Sequence, residues 1–129
     1  MPVTGMIAAQ ASLMDTNLVP TRKQKIADVR NDTFAWLKRN NYSFIPSQSN
    51  CFMIDVKRPG GDIRRAMAKD NVFIGRSWPS WPNYVRVTVG LQSEMDAFKT
   101  SFKKAMDSPA TALNELPARP SHLPLAVTS

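Results

Sequence analysis

A chain of 129 residues that is 43% hydrophobic and 21% charged has room for one domain with a modest core, which excludes a fibrous or wholly disordered protein. Its formal net charge of +7 makes acidic partners worth testing, although the basic residues are spread over three expected helices and a turn instead of forming one patch. The single cysteine, Cys51, excludes an internal disulfide and a cysteine metal site and suits a reducing cytoplasm; the single histidine, His122, falls in a proline-rich tail, so the folded part lacks one for a triad, a zinc site or general-base work.

From Thr4 to about Met14 the residues Met6, Ile7, Ala9, Ala11 and Leu13 read as a short helix with almost no charged face, which needs something to lie against. It has no capped entry, as if cut from a longer polypeptide. Its apolar run is interrupted by Thr4, Gln10 and Ser12, so neither a signal peptide nor a membrane span is expected. Pro20 suits a first helical turn, and a long amphipathic helix follows to about Asn40, with Ile26, Val29, Thr33, Trp36 and Leu37 on one stripe. "YSFIPS" is a short strand closed by Pro46, and "CFMIDV" a longer one, with Cys51 expected as a small buried hydrophobe.

"RPGG" at 58–61 breaks the chain, and a helix runs from Asp62 to about Lys69 with Ile63, Ala66 and Met67 inward. "VFIGR" reads as a strand and "SWPSWPN" as an aromatic loop. In "NYVRVTVG", Val85, Val87 and Val89 alternate with Tyr84, Arg86 and Thr88, the period of a half-buried strand. Arg86 is then either a solvated arginine covering apolar surface with its stem or a planar fork that meets a carboxylate or phosphate. Ser93 and Asp96 suggest a capping box for the last helix, whose stripe is Met95, Phe98, Phe102 and Met106. Beyond Asp107 the composition shifts to Pro109, Pro117, Pro120 and Pro124 among Ser, Thr and Ala, the pattern of a mostly unstructured tail. The order α α β β α β β α describes an α+β two-layer sandwich: a small antiparallel sheet with helices on one face, preceded by a long helix.

Three patterns occur in a fixed order: Pro46, Ser47 and Asn50 before a strand, a hydrophobic strand ending in Arg76, and Arg-x-Thr-x-Gly at Arg86, Thr88 and Gly90 before an acidic helix start. Together, over residues 3–106, they resemble the C-terminal small domain of fold-type I pyridoxal-phosphate aminotransferases, most of all the histidinol-phosphate aminotransferase group. The resemblance implies a division into 1–19, the remnant of a large-domain end helix; 20–107, the small domain led by the interdomain helix; and 108–129, the tail. It implies that Arg86 holds the α-carboxylate of an amino-acid or keto-acid substrate and that Arg76 lies near the substrate's distal anionic group. Asn50 is read either as structural, a buried amide fixing the turn between the two strands, or as a contact to substrate.

In that family the Schiff-base lysine, the aspartate on the pyridine nitrogen, the stacked aromatic and the phosphate cradle belong to a large domain, and no lysine here stands in the family's Ser-x-x-Lys context followed by a glycine- and arginine-containing loop. The resemblance thus implies a chain that binds no pyridoxal phosphate and catalyses nothing alone, contributes substrate-binding arginines but no catalytic residue, and belongs to a homodimeric cytoplasmic enzyme once its large domain is supplied. The competing reading is a non-catalytic basic α/β module, docking through its apolar first helix or binding nucleic acid. Against the latter, Trp78 and Trp81 fall in a proline loop and not on a sheet face.

Overall fold

The computed structural model describes residues 2–109 of the chain. Its elements are α1 (Val3–Met14), α2 (Leu18–Arg39), β1 (Ser43–Ile45), β2 (Cys51–Asp55), α3 (Gly60–Ala68), β3 (Tyr84–Thr88) and α4 (Gln92–Asp107). The strands form one antiparallel sheet in the order β1-β2-β3, with Phe44 opposite Ile54, and Phe52 and Ile54 opposite Val87 and Val85. This is the α+β architecture expected from the sequence.

Period 2 in the strands and period 3.6 in the helices meet in one core. Phe52, Ile54, Val85 and Val87 point to one side of the sheet, where Leu37 of α2, Ile63 and Met67 of α3, and Met95, Phe98 and Phe102 of α4 cover them. Burial of each large side chain contributes on the order of 1.5–3 kcal/mol. Phe98 and Phe102 stack at 5.3 Å, and Tyr42 meets Phe102 edge-on at 5.1 Å.

Asparagine ends two helices. Asn41 has φ 58°, which lets Tyr42 N–H donate to Leu37 O at 3.0 Å and Asn41 N–H to Lys38 O at 3.1 Å. Asn71, also at φ 58°, ends α3 in the same way, with Val72 N–H donating to Met67 O at 3.1 Å. The "RPGG" turn earns its glycine: a Cβ on Gly60 would stand 2.8 Å from Val85 Cγ1, so only glycine lets α3 start this close to β3. Arg58 in the same turn donates to the carbonyls of Met106 and Ser108, satisfying the end of α4.

Four expectations are corrected. "VFIGR" does not form a strand, because it makes only one ladder-like bond to β3, Gly75 N–H to Arg86 O at 2.8 Å. The last helix is capped at Leu91, whose N–H donates to the Glu94 carboxylate at 2.7 Å, and not at Ser93. Leucine has no side-chain acceptor to reciprocate, so half of a capping box forms. Cys51 is half-buried on the sheet's uncovered side instead of being a core residue. Asn50 is exposed; its backbone carbonyl, not its amide side chain, accepts the Val89 N–H at 2.7 Å. Helix α1 runs as expected but buries nothing: Val3, Met6, Ile7, Leu13 and Met14 are all exposed. The tail expected at 108–129 lies, beyond Pro109, outside the described residues.

Candidate functional site

The sheet has a second face. Ile45, Met53 and Arg86 lie side by side across its three strands, flanked by Asp55 and Tyr84 at one end and Cys51 and Thr88 at the other. Helices α2, α3 and α4 all pack on the opposite side, so strand alternation alone delivers Arg86 to a face that none of them covers.

Arg86 is half-buried, and its Nε is shut off from solvent without a hydrogen-bond partner. The confinement comes from Gly75: a Cβ there would stand 2.8 Å from Arg86 O, 3.0 Å from its Nε and 3.1 Å from its Cβ. The "VFIGR" segment therefore passes directly against the arginine stem and delivers Arg76, the next residue, to the same place. The guanidinium carbon of Arg76 lies 5.2 Å from the centroid of the Trp78 ring and that of Arg86 6.0 Å from it. Both arginines singled out in the sequence are thus brought together, at an indole. Among the described residues no carboxylate lies within ion-pair distance of either. Two like charges beside one another and free of acids present planar forks of a shape that can meet a carboxylate or phosphate.

The loop before β2 is organised by a residue that sequence patterning missed. Arg30 of α2 is only 7% exposed. Its guanidinium donates to Gln48 O at 2.8 Å, Ser49 O at 3.1 Å and Gln48 Oε1 at 3.2 Å. Ser47 and Ser49 close the same loop, with Ser49 N–H donating to Ser47 Oγ at 3.0 Å. The Pro-Ser-x-x-Asn stretch is in this way tied to α2 on one side and, through Asn50, to the end of β3 on the other.

Several carboxylates elsewhere are paired with lysines. Asp32 accepts from Lys99 at 2.5 Å, and this bond with the one from Gln92 holds its carboxyl below the usual range. Lys104 and Ser101 do the same for Asp70. Lys57 bonds Asp55 at 2.6 Å, which lowers the carboxyl and raises the ammonium. Among the described residues Lys57 is the one lysine off the helices and the helix ends. No group of three or more His, Cys, Asp or Glu among the described residues could hold a metal. A cavity of about 410 Å³ between the 71–75 segment and α4, and another of about 520 Å³ between α2 and Leu91, both leave out Arg76 and Arg86. Neither is the arginine site. No helix among the described residues is long and apolar enough to cross a membrane.

No protein-family model matches the chain. Curated relatives do. Histidinol-phosphate aminotransferase 2 of Methylococcus capsulatus is 29% identical over 104 residues, 79% of this chain and 28% of that protein. Histidinol-phosphate aminotransferase of Halalkalibacterium halodurans is 30% identical over 92 residues, 70% of this chain and 25% of that protein. Among solved structures, a chain assigned as a histidinol-phosphate aminotransferase of Erwinia carotovora atroseptica superposes with a TM-score of 0.70 at 26% identity, over 75% of this chain and 28% of that one. The enzyme of Sinorhizobium meliloti, solved in complex with pyridoxal-5'-phosphate, gives 0.66 at 21% identity over 77% of this chain and shares the fold. The chain spans roughly a quarter of the length of the proteins it matches.

Proposed function

We propose that this chain is the C-terminal small domain of a pyridoxal-phosphate-dependent aminotransferase of the histidinol-phosphate aminotransferase kind, and that Arg86 is its substrate-carboxylate arginine. The observation that carries the reading is the half-buried, acid-free guanidinium of Arg86 on the uncovered sheet face of a fold whose relatives are such enzymes. Two parallel N–H···O bonds from the fork would fix the α-carboxylate of an amino acid or keto acid and so aim its reacting carbon toward the rest of the active site. Arg76 would take the substrate's distal anionic group.

The cofactor, which supplies the electron sink for transamination, and its lysine would come from the polypeptide that makes up the other three quarters of the relatives. In the division proposed, residues 1–19 close that large domain, 20–107 form the small one and 108–129 are a tail; the intact enzyme is a cytoplasmic homodimer. The apolar surface of α1 supports this division, since a helix with Ile7 and Leu13 exposed is built to be covered. A nucleic-acid-binding module has less support, because the relatives in sequence and the matching fold are aminotransferases.

The test is reconstitution. The purified chain should take up no borohydride-fixable pyridoxal phosphate and should not transaminate. The same chain, exchanged for the matching segment of the Methylococcus relative, should restore histidinol-phosphate aminotransferase activity. A folded chimera that binds cofactor yet turns over no amino acid would overturn the reading, as would a fixable cofactor on the chain alone.

A further inference from the structure

The aromatic loop between Arg76 and β3 has not been given a role by the carboxylate clamp alone. Its backbone closes on itself: Trp78 and Trp81 form an isolated antiparallel bridge, with Trp81 N–H donating to Trp78 O at 3.0 Å. Tyr84 N–H donates to Trp81 O at 3.1 Å, and the Trp81 ring lies 5.1 Å from that of Tyr84. The loop is therefore anchored to the start of β3 by this chain's own atoms, and Trp78 is half-buried where Arg76 and Arg86 share its ring.

We propose that Trp78 is the positioning residue of the arginine site. Its indole is the common rest of both guanidiniums and holds the Arg86 fork in place before an anion arrives. Arg86 needs such a rest: Nε has no hydrogen-bond partner, and Gly75 restricts the stem but offers no side chain to orient the head. An arginine side chain loses rotamer freedom when it binds, so a fork ordered in advance binds a carboxylate more tightly. The π-face supplies attraction without a competing negative charge, which an aspartate in the same place would bring. This inference rests on the Arg86 reading above, but it acts through Arg86 and touches no reacting atom.

NMR on the full 129-residue chain tests it, with succinate as the probe anion. In the free wild-type chain the δ-methylene protons of Arg76 and Arg86 should be shifted by the indole ring current, and succinate should move the Arg86 Nε–H resonance. Trp78→Leu should abolish the ring-current shifts and weaken succinate binding about fivefold to tenfold, the size of one cation–π contact. Trp78→Phe should keep part of the shift and stay within about threefold of wild type. The phenylalanine variant keeps the test decisive if the leucine variant melts. If Arg86→Lys abolishes succinate binding while Trp78→Leu leaves it unchanged, the inference fails and the Arg86 reading stands. If the wild-type chain binds no succinate, there is no preordered fork and the inference fails too; the chimera assay still decides the role of Arg86.

Discussion

The two faces of β3 are separated by one residue and obey different chemistry. Val85 and Val87 are sealed under three helices, where any polar atom would lose water without gaining a partner. Arg86, between them, stands on a face where a charge keeps some solvent and meets an indole instead of an acid. The buried face makes the strand rigid, and rigidity makes the other face useful, since an arginine can hold a substrate only if its own backbone does not move. Stability and binding are thus divided by side-chain parity along a single strand.

That division is broken most severely from the core side. Val87→Asp buries a carboxylate with no partner and should cost about 4 kcal/mol or more, enough to unfold a domain of this size. The expected result is loss of the helical circular-dichroism signal and of a cooperative melt. A folded Val87→Asp chain would mean that the sheet face beneath the helices is not a packed core.

Next in size is Arg30, a buried charge on the core side of the division. Arg30→Ala leaves the Gln48 and Ser49 carbonyls without their donor and should cost about 2 kcal/mol, lowering the melting temperature by roughly 10 °C. Hydrogen exchange should speed up in the loop before β2 more than in α4. Uniform loosening of the whole chain would show that Arg30 acts only as packing.

Smaller is the effect of acid on the ion pairs at the surface of both sides. The carboxyls of Asp32, Asp55 and Asp70 are all held below their ordinary range by lysine partners. A carboxyl depressed in the folded state binds fewer protons there than in the unfolded chain, so its stability is present above the unfolded value of about 4 and is lost as pH falls through the folded one. Melting temperature should therefore hold level from pH 6 to about 4.5 and decline below about pH 4, less steeply in high salt. These pairs are partly exposed, so the decline should be shallow.

The smallest stability change belongs to α1. Deleting residues 1–15 removes Val3, Met6, Ile7, Leu13 and Met14 from the surface and nothing from the core, so the melt should barely move while sedimentation shifts toward monomer. A destabilised deletion variant would place α1 inside the cooperative unit.

The sequence made this division visible wherever a period was clean. The alternation at 84–89 and the stripes of α2, α3 and α4 led directly to Leu37, Ile63, Met67, Val85, Val87 and Phe102 in one core. What it hid were features set by neighbours distant in the chain. Arg30 sits among charged helix residues and reads as solvated; only a loop 18 residues away, with carbonyls in need of donors, makes it buried. "VFIGR" has strand composition, but it bonds β3 at one point as it passes over the Arg86 stem. Glu94 and Asp96 are both plausible N-terminal acids, and the choice between them depends on where β3 releases the chain, which composition does not record. Arg76 and Arg86 were legible as candidates through family resemblance, whereas their meeting at Trp78 depends on the folded loop.

The central claim is that Arg86 serves binding and not folding. It is tested most directly by Arg86→Lys in the chimera, with kcat/KM and the thermal melt measured on one preparation. Lysine keeps the charge and loses the bidentate fork, so kcat/KM should fall by about one to three orders of magnitude while the melting temperature stays within about 2 °C. An unchanged kcat/KM, or a melt as damaged as that of Val87→Asp, would contradict the account.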